Sequence, residues 1–370
     1  MPEPSRESRP APEAFASVFR VYEVREEGDQ LRYYGEPLAD HRQIMETVWP
    51  VFRSAGYEVR LDRQTGEFVL IAEPHTVGED GVPWTNVALA LATVLSTLFV
   101  GTQWYYVEDP LSLGVLRALP FTLAVMGVLG THELGHYVLS RYHDVDATLP
   151  YFIPFPSLIG TMGAVIRMRG QIPDREALFD IGVAGPIAGL IATVVVTVIG
   201  LTLPPVTVPE AVLQSSSAVE ITFGYPPLLH FIAWAIDAPL SYSDPRRVVN
   251  PVVIGGWVGM FVTFLNLIPV GQLDGGHVLR SMVGPAQERL APLVPTALFG
   301  LAGYLYFFGE AGQGVGIWIL WGIMASIAAA VGSATPIDDA PLGRRRVAIG
   351  VLTFAIGALC FTPVPIQIVS

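Results

Sequence analysis

Apolar runs occupy most of the chain beyond residue 84, and several of them are long enough to cross a membrane. A helix needs roughly 17 to 25 mainly apolar residues to span a bilayer. Because 51% of the residues are hydrophobic and the mean hydropathy is +0.49, we predict a polytopic α-helical membrane protein with about six or seven transmembrane helices. The predicted spans are 86–100, 114–139, 177–203, 252–268, 293–308, 314–331 and 347–361.

The first 84 residues follow other patterns. Residues 1–14 are polar and proline-rich, so we expect a disordered tail without a cleavable signal, and an N-terminus in the cytoplasm. Residues 15–76 predict a small cytoplasmic α+β domain with two hairpins around one helix, which Asp40 caps and Pro50 kinks or ends. Residues 77–84 are the predicted linker to a membrane domain over 85–370. The small domain is interpreted as docking a partner or gating access.

The second apolar run ends in Thr131-His132-Glu133-Leu134-Gly135-His136. On a helix, positions i and i+4 share one face, so His132 and His136 can hold one metal ion beside Glu133. In zinc peptidases this pattern binds Zn²⁺, and the glutamate takes a proton from the attacking water. A chance match or a pair of core histidines is the alternative, although ionisable residues inside membrane helices usually have a function.

A zinc site with two histidines needs a third protein ligand, commonly a carboxylate. Asp274 is the main candidate: His132 lies 18 residues into the second span and Asp274 lies 22 residues beyond the start of the fourth. At 1.5 Å per residue both reach about 27 to 33 Å, on the same side of the membrane. Glu176, Asp180 and His277 remain alternatives, and His277 is also a candidate supporting group for a ligand.

The chain around Asp274 favours an interrupted helix. Pro269 and Gly271 are predicted to break the fourth span and so free the chain to aim Asp274 at the metal. The side-chain amide of Asn266 is a candidate for holding substrate backbone or the reacting carbonyl. An amide that only bonds between helices is the competing interpretation.

Residues 148–172 are apolar, yet their prolines forbid a helix and their second half alternates like a strand. Such backbone is tolerated at membrane depth only where protein or a water-filled cavity satisfies it, which predicts a re-entrant β-hairpin-like element beside the metal. Its open strand edge is expected to pair with an extended substrate peptide. An ordinary interfacial loop is the alternative. The predicted substrate-binding residues here are Gly160, Thr161, Met162 and Gly163.

Two motifs together resemble the site-2 protease family of intramembrane zinc metalloproteases. The first is His-Glu-Leu-Gly-His at 132–136, and the second comprises Asn266, Pro269, Asp274 and Gly275. The resemblance covers about residues 85–280, the expected catalytic core. Many members carry a PDZ domain between the motifs, but residues 204–251 are too few for one, so PDZ-controlled gating is not expected here.

The resemblance implies that His132, His136 and Asp274 bind one catalytic zinc ion and that Glu133 is the general base. It implies hydrolysis of a peptide bond within or beside a transmembrane segment of a membrane-protein or peptide substrate, often to release a membrane-tethered regulator. The substrate helix must partly unwind, and the hairpin is where the unwound strand is expected. A ligand set of two histidines and one aspartate also accepts iron or cobalt.

Two other function classes remain open. One is a catalytically silent, zinc-binding membrane scaffold, which a missing Glu133 or a missing ligand would favour; all of these residues are present. The other is a metal transporter, which should carry polar groups along a path rather than at one depth. Nucleic-acid binding is not expected, because the chain has no basic stripe. The lone Cys360 excludes disulfides within the chain.

Charge distribution gives an expected location. With the N-terminus inside, nine arginines fall on the inner side of the predicted bundle and three on the outer side, as the positive-inside rule requires. The active site is then expected to face the cytoplasm. All 21 basic residues are arginines and the net charge is −12, which is typical of a high-salt cytoplasm or, alternatively, of GC-rich codon usage. We therefore expect an integral protein in the plasma membrane of a prokaryote.

Overall fold

A computed structural model of the chain describes residues 9–64, 66–75, 81–215, 220–309 and 314–369. Residue 76 and half of the predicted linker, residues 77–80, lie outside them. The helices are α1 (His41–Ser54), α2 (Trp84–Trp104), α3 (Leu119–Tyr142), α4 (Arg175–Thr202), α5 (Glu210–Leu213), α6 (Pro227–Ala235), α7 (Val252–Asn266), α8 (Asp274–Val283), α9 (Gln287–Leu290), α10 (Leu293–Phe308), α11 (Val315–Val331) and α12 (Arg344–Leu359). The strands are β1 (Phe19–Glu27), β2 (Gln30–Pro37), β3 (Tyr57–Gln64), β4 (Glu67–Pro74), β5 (Asp146–Ala147), β6 (Tyr151–Pro154), β7 (Thr161–Val165), β8 (Met168–Arg169), β9 (Val206–Thr207), β10 (Glu220–Phe223), β11 (Arg247–Val248) and β12 (Ile366–Val369).

Residues 9–75, called the N-terminal module below, form an antiparallel sheet in the order β1-β2-β4-β3 with α1 packed on one face. The two predicted hairpins and the helix between them are present. Asp40 caps α1, because its carboxylate accepts a hydrogen bond of 2.9 Å from the backbone N–H of Gln43. The apolar side of α1 buries Ile44, Val48 and Phe52 against the sheet, so the module has its own hydrophobic core.

Two details of the module bear on the sequence predictions. Helix α1 continues through Pro50 to Ser54, so the proline does not end it; the proline removes one backbone hydrogen bond, but Phe52 beyond it stays fully buried. Residues 12–15 form one turn of 3₁₀ helix, and Phe15 is buried against the module's core, so residues 9–14 do not belong to a structureless tail. Residues 1–8 lie outside the described part of the chain.

The membrane part is helical, but its helices vary in length. Among the described residues, three stretches are long and apolar enough to cross a bilayer: Trp84–Trp104, Leu113–Tyr142 and Arg175–Thr202. A fourth results if Asp274–Leu290 and Leu293–Phe308, which meet at 64°, are counted as one span. Helices also occupy the other predicted spans, with 15 residues in α7, 17 in α11 and 16 in α12. The number of six or seven crossings therefore stays a prediction.

Helices α3, α4 and α7 pack against one another at the centre of the molecule. Small residues allow this close approach: a Cβ atom built at Gly256 would lie 2.2 Å from the hydroxyl of Thr197, and one at Gly259 would lie 2.1 Å from the hydroxyl of Thr193. Without such glycines the helices could not approach closely enough to share a polar site.

Strands β6 and β7 form an antiparallel hairpin that lies along α2. Near the start of α2, the side-chain amide of Asn86 donates to the carbonyl of Leu149 at 2.7 Å. At its other end, the indole N–H of Trp104 donates to the carbonyl of Leu158 at 2.9 Å. These two anchors on α2 are 18 residues, or about 27 Å, apart along the helix. The hairpin predicted within 148–172 is therefore present and extends along nearly the whole of α2.

Candidate metal centre and catalytic cavity

His132 and His136 lie one turn apart on α3 and point toward α4. Both are buried, with 2% and 6% of their surface exposed. Nδ1 of His136 lies 2.8 Å from the carbonyl oxygen of Ile181 in α4. Because a carbonyl oxygen only accepts, Nδ1 carries the proton and Nε2 keeps its lone pair for a ligand.

Glycines on α4 make room for these imidazoles. A Cβ atom at Gly185 would lie 2.0 Å from Nε2 of His136, and one at Gly189 would lie 2.9 Å from Nδ1 of His132. Real Cβ atoms do not approach so closely. Gly185 and Gly189 of α4 therefore leave the space that the two histidines occupy.

Asp274 reaches the histidines because the chain changes direction after α7. Helix α7 ends at Asn266, two residues before the predicted end of the fourth span, and α8 begins at Asp274. Gly271, between them, has a φ of +54° and lies so close to the backbone of Ala328 that a side chain would not fit. The break places the carboxylate of Asp274 at the first turn of α8, beside His132 and His136 of α3.

The three side chains converge on one point. Oδ2 of Asp274 lies 3.2 Å from Nε2 of His132 and 3.2 Å from Nε2 of His136, and the two nitrogens are 3.3 Å apart. A tetrahedral ion with bonds of about 2.0 Å holds its ligands roughly 3.3 Å apart. The triangle therefore fits a zinc-sized ion with one coordination position left open. Among the described residues, His132, His136 and Asp274 are the one group of three or more His, Cys, Asp or Glu side chains close enough together to hold a metal ion.

The competing ligands are engaged elsewhere. Asp180 accepts two hydrogen bonds of 2.9 Å from Arg346 and lies 3.0 Å from Nε2 of His143. Glu176 pairs with the same guanidinium at 2.8 Å. His277 is buried and lines the cavity next to the triangle, but it is not part of the triangle, and its Nδ1 has no hydrogen-bond partner among the described residues.

Glu133 belongs to the same site. Its side chain is 7% exposed and lines a cavity of about 200 Å³ together with both histidines and Asp274. Ile166, just beyond β7, lines the same cavity. The cavity thus places a carboxylate next to the possible metal position and next to the hairpin.

Asn266 also lines this cavity, and its side-chain nitrogen lies 3.0 Å from Nε2 of His132. Nε2 is the atom that faces His136 and Asp274, so a metal bound there would take its lone pair. The amide of Asn266 would then be free to face the cavity. The sequence therefore singled out a residue that the structure places at the site.

The predicted substrate-binding residues of the hairpin, 160–163, are not among those that line the cavity. Gly160 packs against the backbone of Ser96 and Thr97 in α2. The hydroxyl of Thr161 donates to the carbonyl of Ile153 at 2.8 Å and so supports the hairpin. Met162 is exposed, and no atom lies within 4 Å of a Cβ built at Gly163.

The cavity wall contributed by the hairpin comes from the next few residues along the chain. The other lining residues that sequence reasoning did not single out for binding are Ala164, Val165, Ile166, Met168, Gln272 and Leu273. Residues 164–166 continue the alternating pattern of 160–163, so the strand could be predicted from sequence. The pattern did not show which residues of the strand face the cavity. That depends on the register with β6, in which Ala164 pairs with Phe152.

A buried ionic cluster holds the far end of α8. Asp339 lies 2.5 Å from Nε of Arg175 in α4 and 2.9 Å from Nη1 of Arg280 in α8. Burial alone would raise the pKa of Asp339, but the two guanidinium groups hold it down to about 2. The cluster joins the start of α4 to the helix that carries Asp274, and so contributes to the placement of the carboxylate.

Comparisons with known proteins agree with this geometry. The model of "Peptidase family M50" matches residues 120–305. "Probable zinc metalloprotease EGY1, chloroplastic" from Arabidopsis thaliana is 35% identical over 167 residues, which are 45% of this chain and 30% of that protein. "Probable zinc metalloprotease EGY2, chloroplastic" from the same plant is 30% identical over 252 residues, 67% of this chain and 42% of that protein. "Probable zinc metallopeptidase EGY3, chloroplastic" is 26% identical over 299 residues, 75% of this chain and 48% of that protein.

The chain thus spans less than half the length of these curated relatives. No solved structure matches the chain significantly. The relatives are named as chloroplast proteins, so they give no support to the expected plasma membrane of a prokaryote, while the apolar helices agree with an integral membrane protein.

Proposed function

The chain belongs to peptidase family M50, and on this premise we propose that it is an intramembrane zinc metalloendopeptidase. It hydrolyses a peptide bond within or next to a transmembrane segment of a membrane-protein substrate, in regulated intramembrane proteolysis. The observation that carries the proposal is the 3.2–3.3 Å triangle of His132, His136 and Asp274, with Glu133 in the same cavity. The relatives named as zinc metalloproteases support both the metal and the reaction.

His132, His136 and Asp274 would hold the zinc ion. When bound, zinc supplies a Lewis acid that polarises a peptide carbonyl and makes water easier to deprotonate. Glu133 accepts the proton of the attacking water on its carboxylate and then delivers it to the nitrogen of the leaving amine. Burial of Glu133 keeps bulk water from competing for this proton.

The substrate is proposed to lie along β7. That strand pairs with β6 on one edge only, and the described residues place no strand on its other edge. Ala164, Val165 and Ile166 at its end line the cavity, so an extended peptide paired there would pass Glu133. A substrate helix must unwind to pair in this way, because its own hydrogen bonds otherwise occupy the backbone groups. Asn266, on the cavity wall, is proposed to bind substrate backbone or the reacting carbonyl.

A re-entrant hairpin in a bundle of six or seven spans fits this site. The two anchors on α2 lie about 27 Å apart, close to the thickness of the hydrocarbon core. The N-terminal module contacts the chain just beyond the end of α3 that follows the histidines, which supports a location of the module and the metal on the same side of the bilayer. We propose that this side is the cytoplasm; the partners of the protein are then a transmembrane substrate and the surrounding lipid.

The test compares wild type with Glu133→Gln, both purified in detergent with zinc, on a panel of single-span membrane proteins. Cleavage is read by mass spectrometry and zinc by elemental analysis. The proposal requires cuts inside or beside a span by wild type alone, with equal zinc in both proteins. Equal cuts by both would refute the role of Glu133. No cuts across a broad panel, with zinc bound, would favour a silent zinc-binding scaffold.

A further inference from the structure

Arg53, in the last turn of α1, connects the N-terminal module to the helix of the metal ligands. Its guanidinium donates to the carboxylate of Asp144 at 2.7 Å and also to the backbone carbonyl of that residue. Asp144 lies two residues beyond α3 and has a φ of +57°, a left-handed conformation in which aspartate is better tolerated than most side chains. Arg53 thus binds the chain where it leaves α3 and turns toward β5.

Glu58, in β3, makes the corresponding contact on the other side. Its carboxylate accepts a hydrogen bond of 2.7 Å from Arg53 and one of 2.9 Å from the backbone N–H of Gln171. The side chain of Gln171 donates in turn to the carbonyl of Val59 at 3.2 Å. Arg53 and Glu58 are 16% and 22% exposed, so both charges are largely removed from water. The module therefore also holds the chain just after β8.

The two contacts enclose one segment. Asp144 precedes β5 and Gln171 follows β8, and β5 and β8 pair with each other at the base of the hairpin. Residues 146–169 run from β5 to β8 and contain the hairpin of β6 and β7, and the end of β7 lines the catalytic cavity. The Arg53–Glu58 ion pair of the module thus contacts both ends of the segment that forms one wall of the cavity. His75 lies beside the pair, 2.7 Å from Arg53 and 3.7 Å from the carboxylate of Asp144.

We propose that Arg53 and Glu58 are positioning residues for proteolysis: they fix the base of the hairpin, and through it the strand against which the substrate is placed. This inference rests on the proposed function, because it concerns how substrate is held at the same site. Neither residue touches the metal ligands, so loss of the pair should loosen the hairpin without removing zinc. The effect should therefore fall on substrate binding more than on the chemical step.

Hydrogen exchange of the full-length, zinc-loaded protein tests the inference without requiring proteolysis. In Arg53→Gln, amides within 146–169 should exchange about tenfold faster, a ratio equivalent to about 1.4 kcal/mol. Exchange in α1 and the zinc content should stay as in wild type. The matched control is Arg60→Gln: Arg60 is an exposed arginine of the same module, and its guanidinium lies 3.6 Å from Glu73 of the module. This control should leave residues 146–169 unchanged.

A second variant removes the same contact by changing Asp144, the partner of Arg53 in the membrane domain. Asp144→Asn removes the charge that Arg53 binds, while asparagine tolerates the left-handed backbone. Its effect on exchange and that of Arg53→Gln should be less than additive in the double variant, since both remove the Arg53–Asp144 contact, while each also removes a contact of its own, with His75 or with Glu58. On a cleavable substrate, both should raise KM severalfold and change kcat little, whereas general damage to the fold would lower kcat and zinc content together.

Unchanged exchange of 146–169 in both single variants would overturn the inference. If Arg53→Gln unfolds the module, exchange will be fast throughout 19–74. Asp144→Asn then provides the test, because Asp144 lies outside the module. Faster hairpin exchange in a protein whose wild type cleaves nothing would uphold the mechanical link and count against the proposed protease, so the two failures are distinguishable.

Discussion

Gly185 of α4 faces His136 of α3 so closely that a Cβ atom on the glycine would lie 2.0 Å from Nε2 of the imidazole. That nitrogen is the one directed at Asp274 and His132. The proposed metal centre therefore depends on a residue that has no reactive side chain. Its contribution is the absence of a side chain at the one place where the imidazole must fit.

Gly185→Ala should displace His136 and sharply lower zinc occupancy, because one methyl group would overlap a ligand atom and both elements are rigid helices. Elemental analysis of the purified protein measures the loss. Gly127→Ala is the matched control on α3, where no atom lies within 4 Å of the new Cβ, and it should bind zinc normally. Full occupancy in Gly185→Ala would show that α4 yields and that the close contact does not define the site.

Asp274→Ala and Glu133→Gln should separate metal binding from catalysis. Removal of Asp274 leaves two ligands, so zinc occupancy should fall sharply. Glu133→Gln keeps the three ligands and should retain zinc, while loss of a general base should lower kcat by roughly 10² to 10⁴. Normal zinc content in Asp274→Ala would refute the ligand assignment.

Asn266→Ala tests whether the amide near His132 serves the substrate or the fold. If it binds substrate, zinc content should be unchanged and kcat/KM should fall by about ten- to a hundredfold, as for the loss of one to two hydrogen bonds in a buried site. Zinc analysis and cleavage kinetics on the same preparation decide this. A parallel loss of zinc would assign the amide to the support of His132 instead.

The ionic cluster at Asp339 predicts a dependence of stability on pH. In the folded state Arg175 and Arg280 hold the pKa of Asp339 at about 2, below its ordinary value of 3.8. A lowered pKa stabilises the fold above the unfolded value, so this contribution is complete above about pH 4 and is lost as the pH falls from about 4 to 2.

Asp339→Asn should lower the thermal midpoint of unfolding near neutral pH, because it leaves two buried guanidinium groups without their shared anion. The difference from wild type should shrink below pH 4. Asp338→Asn is the neighbouring control: its carboxylate accepts a hydrogen bond from the backbone of Ala340 and should matter less. A constant difference from pH 7 to pH 3 would contradict the assignment of Asp339.

Local patterns in the chain were sufficient for much of the architecture. The alternation and turns of residues 15–76 predicted the four strands and the helix of the module, because both hairpins are built from residues adjacent in sequence. Prolines within 148–172 predicted a hairpin rather than a helix, and Pro269 with Gly271 predicted the break before α8. The number of membrane crossings did not follow in the same way. A 15-residue apolar helix such as α7 does not show by its length whether it crosses the membrane by itself.

The proposed metal ligands also follow largely from sequence, because His132 and His136 must share a helix face and the predicted depth of Asp274 matched theirs. Only the tertiary structure showed three further contacts, because they join elements that are distant in the sequence. Gly185 and Gly189 leave space for the imidazoles, and Arg346 pairs with Glu176 and Asp180. Residues 164–166 line the cavity. The tertiary structure also placed Arg53 and Glu58 at both ends of the hairpin. Periodicity records which side of an element is buried, whereas these contacts depend on how separate elements meet in space.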